Sequence, residues 1–371
     1  MEPVRVTYLV SALARNGPTK QLYYIIKHLD RATFQPSIVT LSATFVSSLE
    51  SLFRDLDVEI YRLGRSRIGS LLFGQKSLED LVTAQNPHLL HSSGLRSDWL
   101  SSRLDEPKAR LSTQRNEPSL DYPKLYGRLR GECMTRIHQY ALKHLPFIVY
   151  CSHSLRASSP DRRRTSCVIQ NGVEIDSDII SKTPAHKANA RLEFGLSSTG
   201  NIFIYTGPLI DRKNIEFIIA AFKSSALQDD TLLILGTGPL HDRLVRLTNG
   251  SKNIKLLGER PDISEFLSLA DCYVSASIAE GLPNSVLEAL ACGLPVLLSD
   301  IPAHREVLQN APNAGDCFSL SSSDDLISSI RALKLNPNRS MAARQCAEPF
   351  SALKMSLSYQ DLYRRLLREV K

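Results

Sequence analysis

No apolar run in this sequence approaches the roughly 20 residues that a membrane-spanning helix needs. The opening Met1-Glu2-Pro3-Val4-Arg5 leads straight into a β-favouring run rather than a signal peptide, so a cytoplasmic chain is expected. Low-complexity tracts and internal repeats are missing too, which leaves disorder expected only in short loops. The seven cysteines (Cys133, Cys151, Cys167, Cys272, Cys292, Cys317 and Cys346) contain no CxxC pair and no metal-ligand spacing. An odd number in a cytosolic setting argues against a disulfide framework, and they read as small buried hydrophobes. No His/Asp/Glu cluster is spaced to hold a divalent cation, so no metal is expected on protein ligands.

What is present is an ordinary globular composition, 43% hydrophobic and 22% charged over 371 residues. That length exceeds what one core organises, so two domains of roughly 150 to 200 residues are expected. The formal net charge of +7 is uneven: residues 1–165 hold 24 Lys+Arg against 15 Asp+Glu, the remainder 21 against 23. A basic first half can attract anionic lipid head groups, a phosphorylated acceptor or nucleic acid, or form a solvated face. No recognition motif or interleaved aromatic patch supports nucleic acid. Arg162-Arg163-Arg164, in a polar stretch, reads as exposed linker.

Val4 to Val10 is β-branched and apolar, and Thr19 to Leu29 follows with apolar residues at helical spacing, giving one strand–loop–helix unit. Runs at Pro36–Leu41, Val58–Leu63, His88–His91, Ala109–Thr113 and Phe147–Tyr150 continue the series. A second series begins beyond Val168-Ile169-Gln170-Asn171-Gly172-Val173, where an Asn-Gly turn and the polar stretch 177–189 break the pattern. Its strands are predicted at 201–206, 231–235, 254–257, 272–276 and 295–299, with an edge at 317–319. Such alternation predicts an α/β chain of two doubly wound parallel sheets, with domains at residues 1–170 and 171–350. Ligands of such sheets bind beyond the carboxyl ends of the strands.

Glu280-Gly281-Leu282-Pro283-Asn284-Ser285-Val286-Leu287-Glu288 follows a predicted strand and runs into a helix ending near Gly293. Backbone N–H groups at a helix start favour an anion, while Glu280 and Glu288 can accept from hydroxyls. Gly207-Pro208-Leu209-Ile210-Asp211-Arg212-Lys213-Asn214 follows the strand ending at Thr206. Arg212 offers a bidentate fork and Lys213 a point charge, which suits a diphosphate whose charge grows as it departs; the bland alternative is surface decoration. Gly17, in the loop Ala12 to Thr19, permits a close pass by a phosphate or sugar, a plain tight turn being the rival. Gly236-Thr237-Gly238-Pro239-Leu240-His241 imitates a dinucleotide fingerprint but has His where the third glycine belongs. Its glycines are read as turning the backbone closely past a ligand or neighbouring loop. Asp55-Leu56-Asp57 imitates a metal-binding DxD in a polar approach to Val58 and is taken as chance, and His88 and His91 as structural groups.

With these residues in view, the chain resembles the retaining glycosyltransferases of family 4, also called group 1, which have the GT-B architecture of two Rossmann-like domains facing across a cleft. Four ordered blocks carry the resemblance: Tyr205-Thr206-Gly207-Pro208-Leu209 with Arg212-Lys213, Leu235 to Leu240, Leu257-Gly258, and Glu280 to Glu288 continuing through Ala289 to Val296. The resemblance implies that Arg212 and Lys213 hold the diphosphate, Glu280 the donor sugar and Glu288 the ribose, with Gly207 and backbone from Gly281, Leu282, Pro283, Asn284, Ser285 and Val286 completing the donor site. Gly17 matches a glycine-rich loop of the acceptor domain, although here it is preceded by Asn16. Where many relatives carry a histidine after a first-domain strand, Arg115 and Asn116 stand here, with Asp121-Tyr122-Pro123 and Tyr126-Gly127 shaping the acceptor mouth. The C-terminal segment 351–371 is expected to pack back on the first domain.

The activity this implies is transfer of a sugar from a UDP- or GDP-sugar to a hydroxyl of a saccharide or lipid-linked saccharide, in bacterial surface glycan assembly. Configuration is retained, and there is neither cofactor nor metal. Peripheral membrane contact through the basic half is a further expectation. The rival is a non-catalytic partner subunit that keeps the fold and binds a nucleotide.

Overall fold

The computed structural model describes residues 2–42, 48–64, 67–159, 165–175, 191–192, 194–196, 200–333 and 338–370. The run Arg162-Arg163-Arg164 and the polar stretch 177–189 lie outside the described residues. Two compact units divide the chain, residues 1–172 with 352–371, and residues 173–351.

In the first unit β1 (Val4–Val10), β2 (Phe34–Thr40), β3 (Glu59–Arg62), β4 (Leu89–Ser93), β5 (Ala109–Gln114), β6 (Phe147–Tyr150) and β7 (Ser166–Val168) form one sheet. Its order is β3-β2-β1-β4-β5-β6-β7, and every pairing is parallel. The crossovers carry α1 (Gly17–Lys27), α2 (Glu50–Arg54), α3 (Arg67–Gln85), α4 (Leu95–Ser101), α5 (Pro118–Tyr126), α6 (Arg128–His144) and α7 (His153–Ser158). Sheet order reverses between β1 and β4, so the loops after these strands diverge and leave a crevice at their carboxyl ends.

Helix α1 starts where Asn16 places its side-chain oxygen 3.0 Å from the Thr19 amide, with Pro18 in the first turn. The C-terminal helix Ala352–Glu369 returns to this unit. Met355, Tyr359, Leu362, Tyr363 and Leu366 recur at helical spacing and join Val6, Tyr8, Ile25 and Phe34 in one core. Gln360 donates to the His28 carbonyl at 3.0 Å and Ser356 to that of Ile25 at 2.8 Å, satisfying acceptors that the end of α1 leaves open.

The second unit is a six-stranded parallel sheet of β8 (Ile202–Thr206), β9 (Thr231–Leu235), β10 (Ile254–Gly258), β11 (Cys272–Ser275), β12 (Val296–Ser299) and β13 (Gly315–Phe318). The order β10-β9-β8-β11-β12-β13 reverses between β8 and β11. The central strands are buried along their length, which explains why they read as continuous apolar runs rather than alternating ones.

Cysteine burial departs from expectation. Cys151, Cys272 and Cys346 are buried, but Cys133 and Cys317 are exposed and Cys167 and Cys292 half-buried. Cys133 lies on the outer face of α6, and Cys317 on the edge strand β13, where Gly315 and Phe318 are buried and Cys317 is left at the surface. Among the described residues, no helix is long and apolar enough to cross a membrane.

Candidate functional site

In the second unit the loops after β8 and β11 meet at the sheet reversal. Asp211–Lys213 is one turn of 3-10 helix, closed by Asn214 in the left-handed region at φ 50°. The Arg212 carbonyl accepts the Ile278 amide at 2.8 Å, which fastens this turn to the loop carrying Glu280. Lys213 Nζ lies 2.5 Å from Glu280 Oε1, and Arg212 Nη1 lies 2.7 Å from Oε2 and 2.6 Å from the Ala279 carbonyl. The side chains of Glu280, Lys213 and Arg212 are 6%, 10% and 21% exposed, so water screens these pairs little.

Burial alone raises the Glu280 carboxyl; Lys213 and Arg212 more than reverse that and hold it at about 2. Such a group is ionised at any physiological pH. It is a weak base and not a proton donor, but a strong acceptor for hydroxyl hydrogen bonds. The sequence assigned separate roles to the cations and the carboxylate; the structure bonds them into one cluster of net charge +1.

The glycines of Gly236-Thr237-Gly238 pack against the neighbouring loop. Gly236 has φ 140°, and a Cβ on it would lie 1.9 Å from the Gly207 carbonyl oxygen. Leu209 donates to the Thr237 carbonyl at 2.9 Å and Leu240 to that of Leu209 at 3.1 Å, so the loop after β9 braces the one that leads to Arg212. Gly207 itself donates to Leu235 at 3.0 Å.

Helix Asn284–Ala291 begins after Pro283, which supplies no side-chain cap. Gly281, Leu282, Pro283 and Val286 are buried, while Asn284, Ser285 and Glu288 are half-buried. Tyr273, at the foot of this site, bonds Ser285 Oγ at 2.8 Å and the Thr206 carbonyl at 3.3 Å. It thereby ties the helix start to the end of β8.

His304 is a neighbour that sequence inspection missed. Its Nδ1 faces the Ser299 carbonyl at 2.8 Å, an acceptor only, so Nδ1 carries the hydrogen. Burial lowers its pKa to about 4, keeping the ring neutral, and Nε2 has no hydrogen-bond partner among the described residues. Ser299 Oγ donates to the Ser277 carbonyl at 2.5 Å, and the Ser277 hydroxyl in turn bonds Glu280. A histidine two residues into the helix Pro302–Leu308, just beyond the end of β12, was the available signal.

The first unit holds a cavity of about 230 Å³ at the carboxyl ends of β1, β4 and β5. Asn16, Pro18, Ser93, Gly94, Gln114, Arg115 and Asn116 line it, together with Tyr8, His91 and His138 deeper in. Gly17 opens α1 between two lining residues behind the Asn16 cap; it does not itself line the cavity, and its φ is not positive. Arg115 bonds the Asn171 side-chain oxygen, and Asn116 donates to Asp121 at 2.7 Å.

Behind the cavity, Asp98 is fully buried and accepts from Ser92 at 2.6 Å, Gln114 at 3.1 Å and His138 Nε2 at 2.8 Å. Tyr122 bonds His138 Nδ1 at 2.8 Å, so both ring nitrogens are engaged and His138 is a wall, not a free base. Asp121, Tyr122, Pro123, Tyr126 and Gly127 do not themselves line the cavity, although Asp121 holds the lining residue Asn116. His91 is the structural group expected: it bonds Tyr363 at 2.8 Å and Thr113 at 2.7 Å, with burial lowering its pKa to about 3. Among the described residues, no group of three or more His, Cys, Asp and Glu is placed to hold a metal.

Residues 187–348 match the family "Glycosyl transferases group 1". The chain is 37% identical over 121 residues to an uncharacterized glycosyltransferase, MJ1059, of Methanocaldococcus jannaschii, covering 31% of this chain and 30% of that protein. It is 28% identical over 210 residues to an Escherichia coli UDP-Gal:alpha-D-GlcNAc-diphosphoundecaprenol alpha-1,3-galactosyltransferase, covering 53% of each. The matches thus span a third to a half of these relatives' length. The structure of a sucrose-phosphate synthase from Thermosynechococcus elongatus superposes with a TM-score of 0.82 at 16% identity, over 98% of this chain and 100% of that one, a likeness of fold. Residues 187–348 are thus similar to the group 1 glycosyltransferases, and the two Rossmann-like units have the GT-B fold.

Proposed function

We infer that this chain transfers a sugar from a nucleotide-diphosphate donor to a hydroxyl of a saccharide or lipid-linked saccharide, with retention of anomeric configuration. The observation that carries it is the buried Arg212–Lys213–Glu280 cluster at the reversal of the second sheet. Two cations on a strand-end loop suit a diphosphate, and a carboxylate held ionised beside them suits the hydroxyls of the attached sugar. Glu288, one turn into the adjoining helix, is assigned to the ribose, and backbone at Gly281 to Val286 to the phosphates.

Glu280 is too weak a base to take the acceptor's proton, and no other carboxylate pairs with it in this unit among the described contacts. The proton is therefore assigned to the departing phosphate oxygen, on the face from which the acceptor attacks. Arg212 and Lys213 stabilise the charge that accumulates on that group. Arg115 and Asn116 in the first-unit cavity are assigned to the acceptor. A UDP-sugar donor and a diphosphate-linked acceptor are supported by the name of the E. coli relative, and a GDP-sugar is the competing donor.

Purified full chain incubated with UDP- and GDP-sugars and oligosaccharide or lipid-linked acceptors should release nucleoside diphosphate, and Glu280→Ala should not. Absence of release from the wild type with every pair supplied sinks the reading in favour of a nucleotide-binding partner subunit. An inverted anomeric proton in the product's NMR spectrum overturns retention alone.

A further inference from the structure

We propose that the corner between α5 and α6 is a docking surface for an anionic lipid bilayer. Seven consecutive residues there, Lys124-Leu125-Tyr126-Gly127-Arg128-Leu129-Arg130, are all exposed. Leu125, Tyr126 and Leu129 expose 52%, 45% and 85% of their surface. Scattered exposed apolar side chains are ordinary; three within five residues, in a run that also holds Lys124, Arg128 and Arg130, are not scattered. Leu120 and Tyr140 are further exposed apolar side chains on the same two helices.

Charge decides the kind of partner. Lys124, Arg128, Arg130, Arg136 and Lys143 are all exposed on these helices. Against them stand Asp121, buried and bonded to Asn116, and Glu132, bonded to Arg128 at 3.2 Å. The outward face is therefore strongly positive. Its apolar side chains flank the joint between α5 and α6 rather than forming one helix face, which suits a bilayer better than a partner helix: leucines pass below the head groups while arginines and lysine stay at phosphate level. The corner is also stiff. A Cβ on Gly131 would lie 2.3 Å from Pro123 Cα, so α6 is seated directly on α5 and presents the seven residues as a fixed set.

The proposal does not depend on the transfer reaction, which is followed separately with a water-soluble acceptor. Full chain is sedimented with vesicles of phosphatidylcholine alone or with about one-third phosphatidylglycerol. Binding to the anionic vesicles is expected to be at least tenfold tighter. Arg128→Gln/Arg130→Gln should weaken it about 30-fold at low salt, from the usual contribution of two basic side chains near a charged surface. Leu125→Ser/Leu129→Ser should weaken it about tenfold or more. Val245→Ser/Met341→Ser, at exposed apolar positions of the second unit, should leave it unchanged. All variants should keep the wild-type melting temperature and soluble-acceptor turnover. Failure of the wild type to bind, or wild-type binding by either corner variant, overturns the proposal. So does loss of self-association rather than vesicle binding in the leucine variant, which would identify a second copy as the occupant.

Discussion

Replacing Glu280 with Gln keeps the shape of the second-unit cluster and removes its negative charge, so one substitution reads both stability and chemistry. The wild-type carboxyl stands at about 2 against an ordinary 4.5. Because the folded value is depressed, the stabilisation is complete above the unfolded value and is lost as pH falls through the folded one. Linkage puts it at about 3 kcal/mol at neutral pH and about 2 kcal/mol at pH ~3.5. An independent route gives a similar size: removing one partner from a buried pair costs about 3 to 5 kcal/mol, since here two cations lose their carboxylate. Urea unfolding followed by circular dichroism, with amide exchange in β8 and β11 to localise the change, measures the difference at both pH values. A Glu280→Gln loss below about 1 kcal/mol, or one that stays constant between the two pH values, refutes a carboxylate held ionised by Arg212 and Lys213.

The same substitution should separate the two halves of donor recognition. With Glu280 neutral, Arg212 and Lys213 no longer share their charge with it. UDP or GDP alone should then bind as tightly as to wild type or tighter, while sugar transfer falls by a factor of about 100 or more. Weaker binding of the free nucleoside diphosphate would remove the cations from the phosphate role.

Lys213→Ala should lower kcat/KM by about 100- to 1000-fold and weaken nucleoside diphosphate binding, read by initial rates and calorimetry. Arg115→Ala should raise the acceptor KM and leave donor affinity alone; a change confined to the donor would reassign Arg115. His304 is buried with its pKa lowered to about 4. The unfolded chain therefore takes up a proton below pH ~6.5 that the folded one refuses, and stability falls by about 2 kcal/mol between there and pH ~5. His304→Asn should flatten the stability–pH slope over that window by one proton. Gly236→Ala drives a Cβ into the Gly207 carbonyl at 1.9 Å, so it should destabilise the unit by several kcal/mol and impair donor binding through the displaced loop.

Both sheets were legible because parallel strands covered on two faces must be apolar along their length, and runs such as Phe147–Tyr150 and Thr231–Leu235 are found at the predicted positions. The first helix, read from Thr19 by its apolar spacing, begins two residues earlier at Gly17, behind the Asn16 cap. Arg212, Lys213 and Glu280 could be named from ordered motifs. Their mutual bonding could not, because a motif conveys which residue types are present and not which ones neutralise each other. The Asp98–His138–Tyr122 network left no trace either: its members are 40 and 16 positions apart on different helices, at no spacing that local periodicity can register. Cys133 and Cys317 were misjudged for a related reason. Residue type gives a tendency to be buried, whereas the face of α6 and the edge position of β13 decide the outcome.

Topology explains why the cluster forms where it does. Arg212 and Glu280 are 68 residues apart, and β9 and β10 separate β8 from β11 in sequence, yet the sheet places β8 directly beside β11. The crossovers run outward to β10 on one side and β13 on the other, so the loops after β8 and β11 have no helix between them. They can approach to hydrogen-bond distance, as the Ile278 amide on the Arg212 carbonyl shows. The first unit repeats the geometry: β1 lies beside β4, and the loops bearing Asn16, Gly94 and Arg115 line the cavity. Each unit thus has its candidate site at or next to the place where its sheet reverses. A swap of Arg212 and Glu280 between these two loops preserves the pair and its charges. It should therefore restore much of the stability lost in Glu280→Arg, but not sugar transfer, because the carboxylate would then sit on the loop that faces the diphosphate. Recovery of turnover in the swapped variant would show that the charges matter and their placement on the two loops does not.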